Sequence, residues 1–153
     1  MLIPVTYPGA SLACVKAMER VWRKTPWWAP VAVLILAWCI GRTQVAHDLW
    51  SWLHLLGGAA LAFFFLGCID ALRATHPLAR YAVAFAFACT GALGWELMEF
   101  GIDQVWGTHL QEGLLDTMTD LMLGVSGAAL YLGYAALPRG QRKPGEQAAR
   151  RGG

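Results

Sequence analysis

The sequence predicts an all-α integral membrane protein, a four-helix transmembrane bundle preceded by an N-terminal amphipathic helix. Of its 153 residues, 57% are hydrophobic and only 14% are charged, and the mean hydropathy is +0.44. A soluble domain carries about a quarter charged residues. The apolar residues gather in long runs without period-two alternation, which favours spanning helices over barrel strands. This composition excludes a disordered chain, a disulfide-stapled secreted fold and a basic nucleic-acid-binding surface.

Three regions are predicted along the chain. Residues 1–26 form a cytoplasmic leader, residues 27–137 the four-span domain, and residues 138–153 a basic cytoplasmic tail that is polar and glycine-rich. We expect this tail to be disordered or lipid-associated. In the leader, apolar side chains recur at near-helical spacing with basic ones between them: Leu12, Val15, Met18 and Trp22, with Lys16, Arg20 and Arg23. This pattern is typical of a helix on the inner leaflet, and a frayed leader is the alternative.

Four apolar segments predict the spans, in order 27–41, 49–72, 78–100 and 114–137. At a rise of about 1.5 Å per residue, the last three reach ~34–36 Å and can cross a hydrocarbon core of ~30 Å. The first reaches only ~22 Å, unless residues 42–46 extend it while the Arg42 side chain reaches toward the headgroups. The limits of this first span are therefore the least defined.

The basic residues predict the orientation of these spans. Among the 12 lysines and arginines, Arg42 alone lies in the loops of one side. The others precede the first span, lie between the second and third, or follow the fourth. Because loops rich in lysine and arginine stay in the cytoplasm, we expect a multi-pass membrane protein with both termini cytoplasmic.

Ionisable residues within the apolar runs form the candidate site. The main candidates come from three spans: His54, Glu96, Glu99, Asp116 and Asp120. In the predicted topology they lie at similar depth, within ~10 Å of the outer interface. Such groups are costly inside a membrane and usually mark functional sites. Secondary candidates lie just above them or at the end of the first span: Arg42, Asp103, His109 and Glu112.

The spacing of the acidic residues suggests cation binding. Glu96 and Glu99 are three positions apart and Asp116 and Asp120 four apart, so each pair shares a helix face. Carboxylates at short range in a low dielectric must share protons or be neutralised by a cation. With one imidazole they suit a divalent metal ion such as Mg²⁺, Mn²⁺, Ca²⁺ or iron.

Simpler roles remain open for single members of this set. Asp116 can cap the fourth helix, where the positive end of the helix dipole favours a carboxylate. Glu99 can extend to the headgroups. His54 can be a neutral histidine that donates to a backbone carbonyl.

Two stretches of sequence resemble a known family. They are Gly94-Trp95-Glu96-Leu97-Met98-Glu99-Phe100 and Glu112-Gly113-Leu114-Leu115-Asp116-Thr117-Met118-Thr119-Asp120-Leu121, followed by Gly127. This pattern resembles the YjdF-like family of small bacterial inner-membrane proteins. It is more distantly similar to the VanZ-like proteins associated with glycopeptide resistance, whose polar residues occur in the order of His54, Glu96, Asp116, Asp120 and Gly127. The resemblance covers roughly residues 47–134 and implies a membrane protein with these polar residues at its site. It names no substrate.

Three functions remain open from the sequence. The first is a periplasm-facing site that binds a cation, either a metal holding a lipid or isoprenoid phosphate or a cationic headgroup. If this site is enzymatic, the metal would polarise a phosphoryl oxygen or activate water, with His54 as an acid or base. The second is a non-enzymatic accessory subunit or envelope-stress factor. The third is an oligomeric proton or ion conductor. No residue is assigned as catalytic, and the expected partners are membrane lipids and a protein partner or further copies of the chain.

Overall fold

Five helices make up the part of the chain that the computed structural model describes, which is residues 8–42, 46–72 and 76–137. They are α1 (Pro8–Lys24), α2 (Trp28–Ile40), α3 (Ala46–Leu72), α4 (Pro77–Trp106) and α5 (Leu114–Ala136). These ranges contain no strand, so the predicted all-α class is confirmed. The tail at 138–153 and half of the 12 basic residues from which the orientation of the spans was predicted lie outside the described residues.

Helix α3 is the centre of the fold. All four other helices pack against it, and its contact with α5 is the most extensive. The core between α3, α4 and α5 is built from small and aliphatic side chains: Ala62, Leu66, Ile69, Ala84, Ala88, Ala128 and Leu132. Helix α2 packs on α3 without touching α4. A gap therefore remains between α2 and α4.

Glycines bring α3 and α5 close together. A Cβ atom at Gly58 would overlap the carbonyl group of Gly124, and one at Gly127 would overlap the carbonyl oxygen of Leu55. Only residues without a side chain allow backbones to approach this closely, which is a common way to join helices in a membrane. This contact sets the position of α5 along α3, and so which residues of the two helices face each other.

Two helices are long and apolar enough to cross a membrane by length and composition. They are Leu49–Leu72 of α3 and Leu78–Trp106 of α4. Helix α2 is apolar but has only 13 residues. Large apolar side chains on the outside of the bundle, such as Ile35, Leu97 and Leu130, are more than half exposed. Such a surface suits a hydrocarbon environment, whereas the number of spans stays a prediction.

Helix α4 is longer than the sequence indicated. It continues to Trp106 instead of ending near residue 100, and it stops at Gly107, whose φ of 64° is left-handed. The Gly107 N–H donates to the Asp103 carbonyl, which closes the last turn as glycine commonly does. Asp103 therefore lies in the last turn of α4 and not in the loop where the sequence placed it.

Helix α1 forms where the leader was expected to be helical. Leu12, Val15, Met18 and Trp22 are all more than 60% exposed, while α1 packs against α3 through another face. Thr25 and Pro26 form the turn into α2, and Pro26 lies against Gly67 of α3. The exposed apolar side chains fit the predicted position on the inner leaflet, which stays a prediction.

Candidate functional site

Three helices bring one histidine and two carboxylates together. His54 comes from the first part of α3, Glu96 from α4 and Asp120 from the second turn of α5. The His54 Nδ1 atom lies 3.4 Å from Glu96 Oε1, and the His54 Nε2 atom lies 3.5 Å from Asp120 Oδ2. These three side chains, called the His-Glu-Asp triad below, can offer ligand atoms that all lie within 4.8 Å of one another.

The triad is buried and incompletely satisfied. Glu96 and Asp120 are each only 4% exposed. Within the described part of the chain, Glu96 Oε1 and Asp120 Oδ1 have no hydrogen-bond partner. A buried polar atom without a partner costs about 1–3 kcal/mol, and more when it is charged. Two such atoms on carboxylates that face one histidine indicate that the site needs a further positive or proton-bearing group.

The loop between α4 and α5 covers the triad through Gln111. The Gln111 Nε2 atom donates to the Glu96 carbonyl oxygen at 3.0 Å and to Glu96 Oε2 at 3.3 Å. Asp103 holds this loop, because its carboxylate accepts hydrogen bonds from Thr108 Oγ1, Leu110 N and Gln111 N at 2.6–3.0 Å. Asp103 therefore positions Gln111 and lies outside the triad.

We expect Asp103→Asn to loosen this loop. Replacing one acceptor oxygen by an amide removes part of the hydrogen bonding that holds Leu110 and Gln111. Hydrogen exchange followed by mass spectrometry should show faster exchange of these two backbone amides, at least severalfold, with α3 unchanged. Unchanged exchange in the loop would mean that Asp103 does not hold it. Glu19→Gln, in a surface pair with Arg23 at 3.6 Å, is the matched control.

Glu99 and Asp116, two of the five main candidates, have other partners. Glu99 is buried at 5% exposure, and its Oε1 atom accepts a hydrogen bond of 2.8 Å from the Trp95 indole. Asp116, in the first turn of α5 after the N-cap Gly113, accepts from the Glu112 backbone N–H at 3.2 Å and so ties the helix to the preceding loop. Both lie beside the triad and add negative charge to its surroundings.

The remaining secondary candidates lie on the surface. His109 and Glu112 are exposed residues of the α4–α5 loop. The Arg42 guanidinium is 4.1 Å from the centre of the Trp38 ring, and no salt bridge between described residues joins it to the triad. The positive charge that the carboxylates require is therefore not supplied by Arg42.

Two contributors to the site were missed from the sequence. Gln111 covers Glu96, and the Ser51 side chain hydrogen-bonds the Asp120 carboxylate. Ser51 lies one turn before His54 on α3, so its spacing could have placed it on the same face. Nothing in the sequence distinguishes Gln111, an uncharged residue in a polar loop.

A family model described as "Predicted membrane protein (DUF2238)" matches residues 9–140 of the chain. The chain belongs to this family. The YjdF-like proteins that the sequence resembles are the same family, so this part of the resemblance is confirmed. The similarity to VanZ-like proteins and a bacterial origin stay predictions. Neither a curated protein nor a solved structure matches the chain significantly.

Family membership and the two long apolar helices agree that this is a membrane protein. Its triad offers one imidazole nitrogen and carboxylate oxygens from two residues. Such a set can bind a divalent ion, or it can pass a proton between the carboxylates through the ring. Both activities use the same three side chains, and they differ in what neutralises the carboxylates.

Proposed function

We propose that this protein is a multi-pass membrane protein that binds a divalent metal ion through His54, Glu96 and Asp120. The observation that supports this most directly is the pair of buried oxygens, Glu96 Oε1 and Asp120 Oδ1, without a partner. An ion would satisfy both oxygens and neutralise both charges in a region where ionised side chains are costly. Protein ligands from three residues also leave coordination positions open for water or a further ligand.

The distances within the triad are longer than direct hydrogen bonds. The two nitrogen-to-oxygen separations are 3.4 Å and 3.5 Å, whereas an ordinary N–H···O hydrogen bond measures ~2.7–3.2 Å. A single ion binds one nitrogen of an imidazole ring, so only one of the two separations can be an edge of its ligand set, and one ligand atom from each of the three residues lies within 4.8 Å of the others. Imidazole suits transition metals, whereas Mg²⁺ and Ca²⁺ prefer oxygen alone. We therefore favour Zn²⁺, Mn²⁺ or Fe²⁺.

Elemental analysis of protein purified in detergent tests this proposal. We expect about one transition-metal ion per chain in the unmodified protein, and less than about a tenth of that in Glu96→Gln and Asp120→Asn. Glu19→Gln and His109→Gln are matched controls, because they change the same residue types at exposed positions, and both should keep the ion. An unmodified protein that holds no ion after incubation with each metal would refute the metal site.

A proton relay is the second candidate. It is supported by the placement of the His54 ring, because each of its nitrogens faces a different carboxylate. A histidine in this position can accept a proton on one nitrogen and release one from the other. If proteoliposomes carry protons without bound metal, and His54→Gln stops this flux, the relay is the correct function. A proton-conducting assembly of several chains would be required.

We also propose four spans with both termini in the cytoplasm, based on the distribution of basic residues. This places the triad toward the outer side of the membrane. Reporter fusions test it: we expect periplasmic activity for a fusion at Gly107 and cytoplasmic activity for one at Gly140. The reverse result at either position would overturn the topology and the outward position of the site.

A further inference from the structure

An apolar cavity of about 240 Å³ lies beside the triad, in the gap between α2 and α4. Its floor is formed by small residues, among them Gly57, Gly91 and Ala92, and Val33 and Leu34 of α2 form one wall. Leu34 is 50% exposed, so this wall borders the outside of the bundle. The cavity, called the α2–α4 groove below, lies between the apolar helices α2, α3 and α4.

The volume of the groove indicates that its occupant is thin. An α-helix with its side chains is about 10–12 Å wide, so three turns of one occupy more than about 1,000 Å³. The groove of about 240 Å³ can take a few side chains of such a helix but not its body. It is larger than the cavity of about 150 Å³ that holds a benzene molecule. A section of a single hydrocarbon chain matches both its volume and its apolar walls.

The polar end of the groove indicates which chemical group the occupant carries there. Among the described residues that line it, polar side chains are limited to Trp50, His54 and Trp95. Indole nitrogens only donate hydrogen bonds, and the Trp95 indole already donates to Glu99. His54 connects the groove to the triad, where a bound divalent ion would offset the charges of Glu96 and Asp120 and keep a coordination position open. An indole donor and an open coordination position at one end of an apolar channel favour an oxygen ligand such as phosphate.

We propose that the α2–α4 groove binds one acyl chain of an anionic phospholipid, with the phosphate at the His54 end. The position of the chain follows from the groove alone. The position of the phosphate rests on the proposed function, because the bound ion supplies the open coordination position that it occupies. The site would then be one at which a membrane lipid is held against a metal ion.

Gly57 provides a way to fill the groove without disturbing the bundle. A Cβ atom at this position would meet only the Val33 Cγ1 atom, at 3.9 Å. Gly57→Leu therefore places a side chain where the acyl chain would lie. Val33→Phe fills the groove from the opposite wall and serves as a second variant. Gly133→Leu is the matched control, because a Cβ there meets nothing within 4 Å.

Native mass spectrometry with phosphatidylglycerol or phosphatidylcholine in detergent measures the binding. We expect Gly57→Leu and Val33→Phe to weaken phosphatidylglycerol binding about tenfold, which corresponds to about two buried methylene groups. Gly133→Leu should bind like the unmodified protein. Phosphatidylcholine should bind more weakly than phosphatidylglycerol, and His54→Gln should remove this difference. Metal content is determined on the same samples.

The outcomes separate this proposal from the metal site. Unchanged phosphatidylglycerol binding in both groove variants would overturn the groove proposal, whatever their metal content. Equal binding of the two lipids to the unmodified protein would overturn the preference for a net anionic headgroup, because both lipids carry a phosphate and differ in headgroup charge. Loss of lipid in the groove variants, together with an unmodified protein that holds no ion, would support the groove and overturn only the metal site.

Discussion

We expect Glu96→Gln and Asp120→Asn each to lower the free energy of unfolding by about 3–5 kcal/mol when made singly. Each carboxylate is buried at 4% exposure and faces the same His54 ring at 3.4–3.5 Å. Neutralising one carboxylate removes one side of the shared proton or ion, so the other stays buried without the group that neutralised its charge. The double variant should therefore lose clearly less stability than the sum of the two single variants. Denaturant unfolding in detergent, arranged as a double-mutant cycle, measures the difference.

The control for this cycle is Glu19→Gln. Glu19 pairs with Arg23 on the surface of α1, with both side chains more than 60% exposed, so its neutralisation should change stability by less than about 0.5 kcal/mol. Additive effects of Glu96→Gln and Asp120→Asn, to within about 0.3–0.5 kcal/mol, would show that the two carboxylates do not interact. That result would remove the triad as a single site.

Gly127→Ala should be, with Gly58→Ala, among the most disruptive small substitutions in the core of the bundle. Its new Cβ would overlap the Leu55 carbonyl oxygen and crowd the Ala59 N–H group at 3.1 Å. A backbone cannot rotate aside as a side chain can, so α3 and α5 must separate. We expect a loss of at least about 2 kcal/mol. The midpoint of denaturant unfolding in detergent measures it, and metal binding should weaken as well because Asp120 moves with α5.

Gly133→Ala is the matched control on the same helix. A Cβ at Gly133 meets nothing within 4 Å, so this variant should be neutral or more stable by up to about 1 kcal/mol, the gain in helix propensity. Opposite signs for two identical substitutions in α5 would show that the contact with α3, and not the glycine itself, matters. A Gly127→Ala variant as stable as Gly133→Ala would contradict the close approach of these helices.

Much of the candidate site was visible in the sequence, because charge inside an apolar run is conspicuous. His54, Glu96 and Asp120 stand out in this way, and the structure places them together. Glu99 and Asp116 stood out equally. However, Glu99 accepts a hydrogen bond from the Trp95 indole, and Asp116 accepts one from the Glu112 N–H. Both donors lie four positions earlier in the chain. The spacing of the acidic residues indicates which helix face they share, but it does not indicate which of them bonds a nearby donor and which faces His54.

The limits of the helices were likewise predicted only in part from the sequence. The apolar runs indicated the cores of α2, α3, α4 and α5, because hydrophobic length is a local property of the chain. They did not indicate that α4 continues to Trp106, since its last turns carry polar residues. That end depends on Gly107, whose left-handed conformation closes the helix. Asp103 then holds the returning loop from within the helix.

Composition and the length of the apolar runs are enough to predict that this protein is helical and belongs in a membrane. Charge inside these runs also indicates the costly polar residues. Which of these residues meet depends on the packing of the helices. The contact of Gly58 and Gly127 with the backbone of the facing helix sets the position of α5 along α3, and this brings Asp120 beside His54. The α2–α4 groove depends on a different contact, because α2 and α4 each pack against α3 and not against each other, and no pattern in the sequence indicates this.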